Sequence, residues 1–117
     1  IILTSFIDDF TWCKYTKATD IFIHMQDTDA FSSSLAEHLF VNNGVINAEW
    51  LQYKDLSDND IYYSSANFSN LNSVFENVKA QPRIYDNSDS IFRLKSLKYC
   101  IRNYWSKYFD RLYNGKI

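Results

Sequence analysis

Residues 21–26, Ile-Phe-Ile-His-Met-Gln, decide the fold class. Ile21, Ile23 and Met25 alternate with Phe22, His24 and Gln26, the period of a half-buried strand. The same six residues fit a helix as well. Glycine occurs twice in 117 residues and proline once. Turn-rich barrels and sandwiches need glycine at positive φ, so this scarcity argues against them. The reading it favours is all-α, a small helical bundle. The alternative is α+β with a short strand near 20–26.

Working outward, the strongest helical pattern is at the end of the chain. Residues 90–113, SIFRLKSLKYCIRNYWSKYFDRLY, place Ile91, Leu94, Leu97, Ile101, Trp105, Tyr108 and Leu112 at spacings of three and four. That is an amphipathic helix, expected to be the spine of the bundle. A second helix is expected from about 69 to 80, capped by Ser69, with Leu71, Val74, Phe75 and Val78 as its stripe and Pro82 beyond. A third is expected over 29–42, capped by Thr28 or Asp29 and ended by Asn43-Gly44. Asn47 is expected to start a short helix carrying Trp50, Leu51 and Tyr53. Phe6, Ile7, Phe10 and Cys13 suit a helix after Ser5. One domain over 1–117 is the expected organisation, because this length buries a core without staples.

Composition narrows the function classes. Hydrophobic residues make up 46% and charged residues 22%, outside the disordered range. No run approaches the ~18 apolar residues of a membrane span, and IILTSFIDDF lacks the basic start of a signal peptide. A cytoplasmic setting is expected, with no membrane contact. Cys13 and Cys100 read as two separate thiols rather than a disulfide framework. His24 and His38 have no zinc-site spacing with those cysteines, and Ser32-Ser33-Ser34 lacks a nucleophile elbow. Two glycines cannot build a phosphate-binding loop. The expectation is therefore not an enzyme, with no catalytic residue, no metal and no cofactor.

Charge is divided along the chain. Residues 1–90 carry five Lys or Arg against thirteen Asp or Glu, a net −8, while 91–117 carry seven basic residues against Asp110, a net +6. Lys95, Lys98 and Arg102 on the basic helix could grip phosphates. The acidic remainder would repel a nucleic acid, so that reading ranks low. Acidic surface instead suits a basic protein cleft, where complementary potential speeds encounter. The chain also carries nine Tyr, nine Phe and three Trp. Nine tyrosine hydroxyls are hard to bury, so some should be exposed, where Tyr serves as a binding anchor. Asp58-Asn59-Asp60-Ile61-Tyr62-Tyr63 sets carboxylates immediately before paired tyrosines.

The segment 58–79, DNDIYYSSANFSNLNSVFENVK, resembles the third-helix region of the immunity proteins that neutralise nuclease colicins and pyocins. Ile61-Tyr62-Tyr63 matches that family's Ile-Tyr-Tyr core, and Val74–Lys79 resembles the start of its closing helix. Asn59 stands where the family has Asp, and Ser64 where it has Pro. The resemblance implies a four-helix bundle, with Tyr62 and Tyr63 and a preceding acid touching the nuclease. The expected function is thus an immunity or antitoxin-type protein that neutralises a basic nuclease toxin domain. Its partner-binding residues would be Asp58, Asp60, Tyr62, Tyr63, Asp55 and Glu49, and the free protein would be a monomer or weak dimer. The alternatives are a phage or mobile-element protein inhibiting another host protein, or a small nucleic-acid-binding module.

Overall fold

A computed structural model describes residues 5–29 and 33–81. The basic helix expected over 90–113 lies outside these residues, with Lys95, Lys98, Cys100, Arg102 and Trp105. The described chain is mixed α/β, and this corrects the all-α expectation. Four helices, α1 (Asp9–Ala18), α2 (Ser33–Phe40), α3 (Lys54–Ser57) and α4 (Leu71–Ala80), alternate with three strands. The strands are β1 (Ile21–His24), β2 (Gly44–Ala48) and β3 (Ser64–Ala66). They form one sheet in the order β1-β2-β3, and both pairings are parallel.

The glycine argument fails for a physical reason. Parallel strands are joined by crossovers through helices, so the sheet needs no tight hairpin. Among the described non-glycine residues, the left-handed region is occupied by Asn42 at φ 63° and Asp60 at φ 57°. Short polar side chains tolerate that region better than other non-glycine residues. Gly44, expected as a helix terminator, is instead the first residue of β2.

Asp8 caps α1, where Oδ1 accepts from the Thr11 amide at 3.0 Å and Oδ2 from the Thr11 hydroxyl at 2.8 Å. This bonding lowers the Asp8 carboxyl below its ordinary value. Cys13 and Thr16, three apart, are the buried face of α1. Trp12 Nε1 donates to the buried Glu37 Oε2 at 2.9 Å, tying α1 to α2.

All five residues of β2 are buried, as expected of a central parallel strand covered on both faces. The run Gly44–Ala48 therefore replaces the short helix expected from Asn47. On one face Leu35 and Leu39 of α2 meet Val45, and Leu56 of α3 and Ile61 complete the cluster with Leu51 and Tyr53. On the other face α4 packs Val78, with Leu71, Val74 and Phe75, against Ile46 and Ala66. The 71–80 helix thus forms with the expected stripe, one residue beyond its expected cap, with Asn70 as N-cap. Residues 58–79 hold a turn, a strand and a helix, so the four-helix bundle implied by the immunity-protein resemblance is not the fold.

Within β1 the alternation is real. His24 is buried beside Asn47 in the register, while Ile23 is 43% exposed.

Candidate functional site

The three strands run parallel, so their following loops gather at one edge of the sheet. In open parallel sheets ligands bind outside this carboxyl edge. The loops are residues 25–29 after β1, 49–53 after β2 and 67–70 after β3.

Beneath this edge lies a buried polar network. Asn47 is fully buried. Its Nδ2 donates to the Leu51 carbonyl at 2.7 Å, so its Oδ1 is the acceptor facing His24 Nδ1 at 2.9 Å. His24 Nδ1 therefore carries a hydrogen. This orientation is fixed by the hydrogen-bond network, since only one arrangement satisfies both contacts. His24 Nε2 lies 3.4 Å from Asp29 Oδ2, and Tyr53 Oη donates to that same oxygen at 3.1 Å. Burial, with the Asp29 bond and charge behind it, raises the Tyr53 phenol well above its ordinary value. Asp29 thus closes a link from the β1 loop to the β2 loop. Its side chain keeps 21% of its surface exposed.

Two further contacts organise the edge. Trp50 Nε1 donates to the Gln26 carbonyl at 2.8 Å, bridging the first two loops. The Glu49 amide donates to the Ala66 carbonyl at 2.8 Å, and both Glu49 carboxylate oxygens lie 3.3 Å from Asn67 Nδ2.

The six residues expected to bind a partner do not form one surface. Asp58, Asp60 and Tyr62 are exposed together in the turn that enters β3 from its amino end. Tyr62 Oη donates to Asp60 Oδ1 at 3.2 Å, and the Asp60 charge raises the Tyr62 phenol. Tyr63 is half-buried, packed against the core, and burial raises its phenol too. Asp55 is half-buried in the first turn of α3. Glu49 stands at the opposite, carboxyl edge.

The histidines and the described cysteine are also separate. His38 Nδ1 accepts from Asn43 Nδ2 at 2.8 Å, and Phe22 stacks on its ring at 4.2 Å. Burial pushes the Cys13 thiol up to about 12, with Glu37 and Asp9 adding to the effect. Among the described residues no three His, Cys, Asp or Glu converge to hold a metal ion. No helix among them is long and apolar enough to cross a membrane.

Sequence reasoning missed Asp29, Tyr53, Asn47 and Trp50 as members of one site. One signal for them was present: a period-two run ending at Gln26, followed at once by Asp27 and Asp29. No protein-family model, curated protein or solved structure matches the chain.

Proposed function

We propose that the chain is a ligand-binding α/β domain whose site is the mouth at the carboxyl edge of the sheet. The observation that carries this reading is the Asp29 carboxylate. Tyr53 Oη donates to its Oδ2, and the His24 ring lies 3.4 Å from the same oxygen. A carboxylate fixed in this way accepts hydrogen bonds without first ordering itself, which lowers the entropy cost of binding. The loops 25–29, 49–53 and 67–70 contain Asp27, Asp29 and Glu49 and no Lys or Arg. That balance suits a small ligand offering hydroxyl or amine donors and disfavours a phosphate.

The test is an NMR-observed titration of the folded chain with a panel of small polyols, sugars and amines. Binders should shift resonances of residues 24–29 and 49–53. Asp29→Asn and Tyr53→Phe should weaken them about tenfold or more, the ~1.4 kcal/mol of one charged hydrogen bond. Binders that ignore Asp29→Asn and shift only distant residues would refute the reading.

A second reading is supported by the amino-edge turn. Asp58, Asp60 and Tyr62 present an acidic, tyrosine-bearing surface, the chemistry that an immunity or antitoxin-type protein offers to a basic nuclease toxin. On this reading Tyr62→Ala raises the dissociation rate and costs about 2 kcal/mol of affinity. Asp58→Asn with Asp60→Asn slows association, most at low salt. Undiminished protection against a partner toxin by these folded variants would remove it.

A further inference from the structure

An exposed aromatic pair stands at the same edge, and core packing does not account for it. Trp50 is 40% exposed and Phe68 70%. Their ring centroids are 5.4 Å apart and the planes tilt by 37°. The pair follows from the register. Ala48 pairs with Ala66 at the end of the β2–β3 ladder. Two residues further on each strand come Trp50 and Phe68, and between them Glu49 stands beside Asn67.

Both members of that intervening pair are held. Asn67 Oδ1 accepts from the Ser69 and Asn70 amides, each at 2.9 Å, so its Nδ2 is aimed at Glu49. The Glu49 carboxylate is therefore a positioned acceptor. The Trp50 ring is positioned as well, because its indole N–H is fixed on the Gln26 carbonyl.

We propose that Trp50, Phe68 and Glu49 form a ring-stacking subsite of the mouth. A hydroxyl-bearing ring lies on the two aromatic side chains, and Glu49 accepts from hydroxyls at the ring's edge. The inference rests on the reading of the mouth as the ligand site. Exposed aromatic faces lose most water when a rigid ring covers them, whereas a flexible chain must also be ordered to do so. A carboxylate beside that surface selects hydroxyl donors, and the cation-free loops give no counter-charge for a phosphate. Either a free sugar ring or a nucleoside supplies this chemistry.

The experiment follows the Trp50 indole N–H and the Phe68 ring by NMR in the full chain. The probes are methyl glucoside, adenosine and the acyclic polyol sorbitol. A ring-bearing probe should shift both signals and bind at least tenfold more tightly than sorbitol. Phe68→Ala should weaken that probe at least tenfold and Glu49→Gln at least fivefold. Both side chains are exposed, so the variants should melt as wild type. Preference between methyl glucoside and adenosine identifies the source of the ring. Sorbitol binding as well as the rings, or an unchanged affinity in Phe68→Ala, overturns the subsite. If Asp29→Asn abolishes binding while Phe68→Ala does not, the mouth stands and the subsite falls. If only Phe68→Ala matters, the subsite stands and the role of Asp29 falls. No shift with any probe overturns both.

Discussion

Acidification should destabilise the fold through His38 before most carboxylates titrate. His38 is 4% exposed, and burial lowers its imidazole from 6.5 to about 4. The hydrogen bonds give a second reason. Asn43 Nδ2 donates one hydrogen to the Thr16 carbonyl at 2.7 Å and the other to His38 Nδ1 at 2.8 Å. Protonating Nδ1 would set two N–H groups against each other, and Phe22 covers one face of the ring. The unfolded chain binds this proton near pH 6.5 and the native state only near pH 4. Stability from this group is therefore full above about pH 6.5 and is lost progressively as pH falls toward 4. The shift of ~2.5 units at ~1.36 kcal/mol each corresponds to about 3 kcal/mol in full, and to roughly 2 kcal/mol by pH 5. That is a large part of a stability of about 5–15 kcal/mol. Urea unfolding at pH 8 and pH 5 measures it, with His38→Gln removing the titrating group. Wild type should lose roughly 2 kcal/mol more than His38→Gln over that interval. Parallel losses, or an NMR titration of the His38 ring with a midpoint near 6.5, would refute the argument.

Other outcomes follow from single positions. Ile46 is fully buried in the central strand, so Ile46→Ala should cost about 2–5 kcal/mol in urea unfolding. Asn42 sits at φ 63°, so Asn42→Gly should be neutral or stabilising while Asn42→Ala costs about 1 kcal/mol, read by melting temperature. In a Cys100→Ser background, Cys13 should resist a thiol reagent at pH 8 in the native state and react at once in urea, because a thiol raised to about 12 is almost wholly protonated. Rapid native labelling would place Cys13 at the surface.

Helices with a periodic stripe were legible in the sequence, and α4 is the plainest case. Leu71, Val74, Phe75 and Val78 specify both its period and the face that meets Ile46. The strands were less legible. Gly44–Ala48 is buried on both faces, which removes the alternation that marks a half-exposed strand. In β1 the alternation was visible, but the face was not. The polar His24 points inward because Asn47 satisfies it, which the sequence around residue 24 does not reveal. The mouth was hidden for a similar reason. Asp29 and Tyr53 are 24 residues apart, and only the crossover through α2 and β2 brings them together.

The same topology sorts the acids that looked like one surface in the sequence. Between residues 20 and 60 the carboxylates run almost unopposed, and a continuous acidic face was the natural inference. Each parallel crossover, however, returns the chain to the amino edge before the next strand begins. Asp27, Asp29 and Glu49, which follow strands, are delivered to the carboxyl edge; Asp58 and Asp60, which precede one, are delivered to the amino edge. A five-residue strand at ~3.3 Å per residue separates the two edges by roughly 15 Å. At that distance, beyond a Debye length of ~8 Å, exposed charges are largely screened from one another. The two proposed sites are thus physically independent, since groups more than ~10 Å apart without shared partners act additively. Tyr62→Ala should leave small-ligand affinity unchanged, and Asp29→Asn should leave any protein partner's affinity unchanged. Coupling between them would mean that one ligand spans both edges, which this sheet can permit only to a molecule longer than β2 itself.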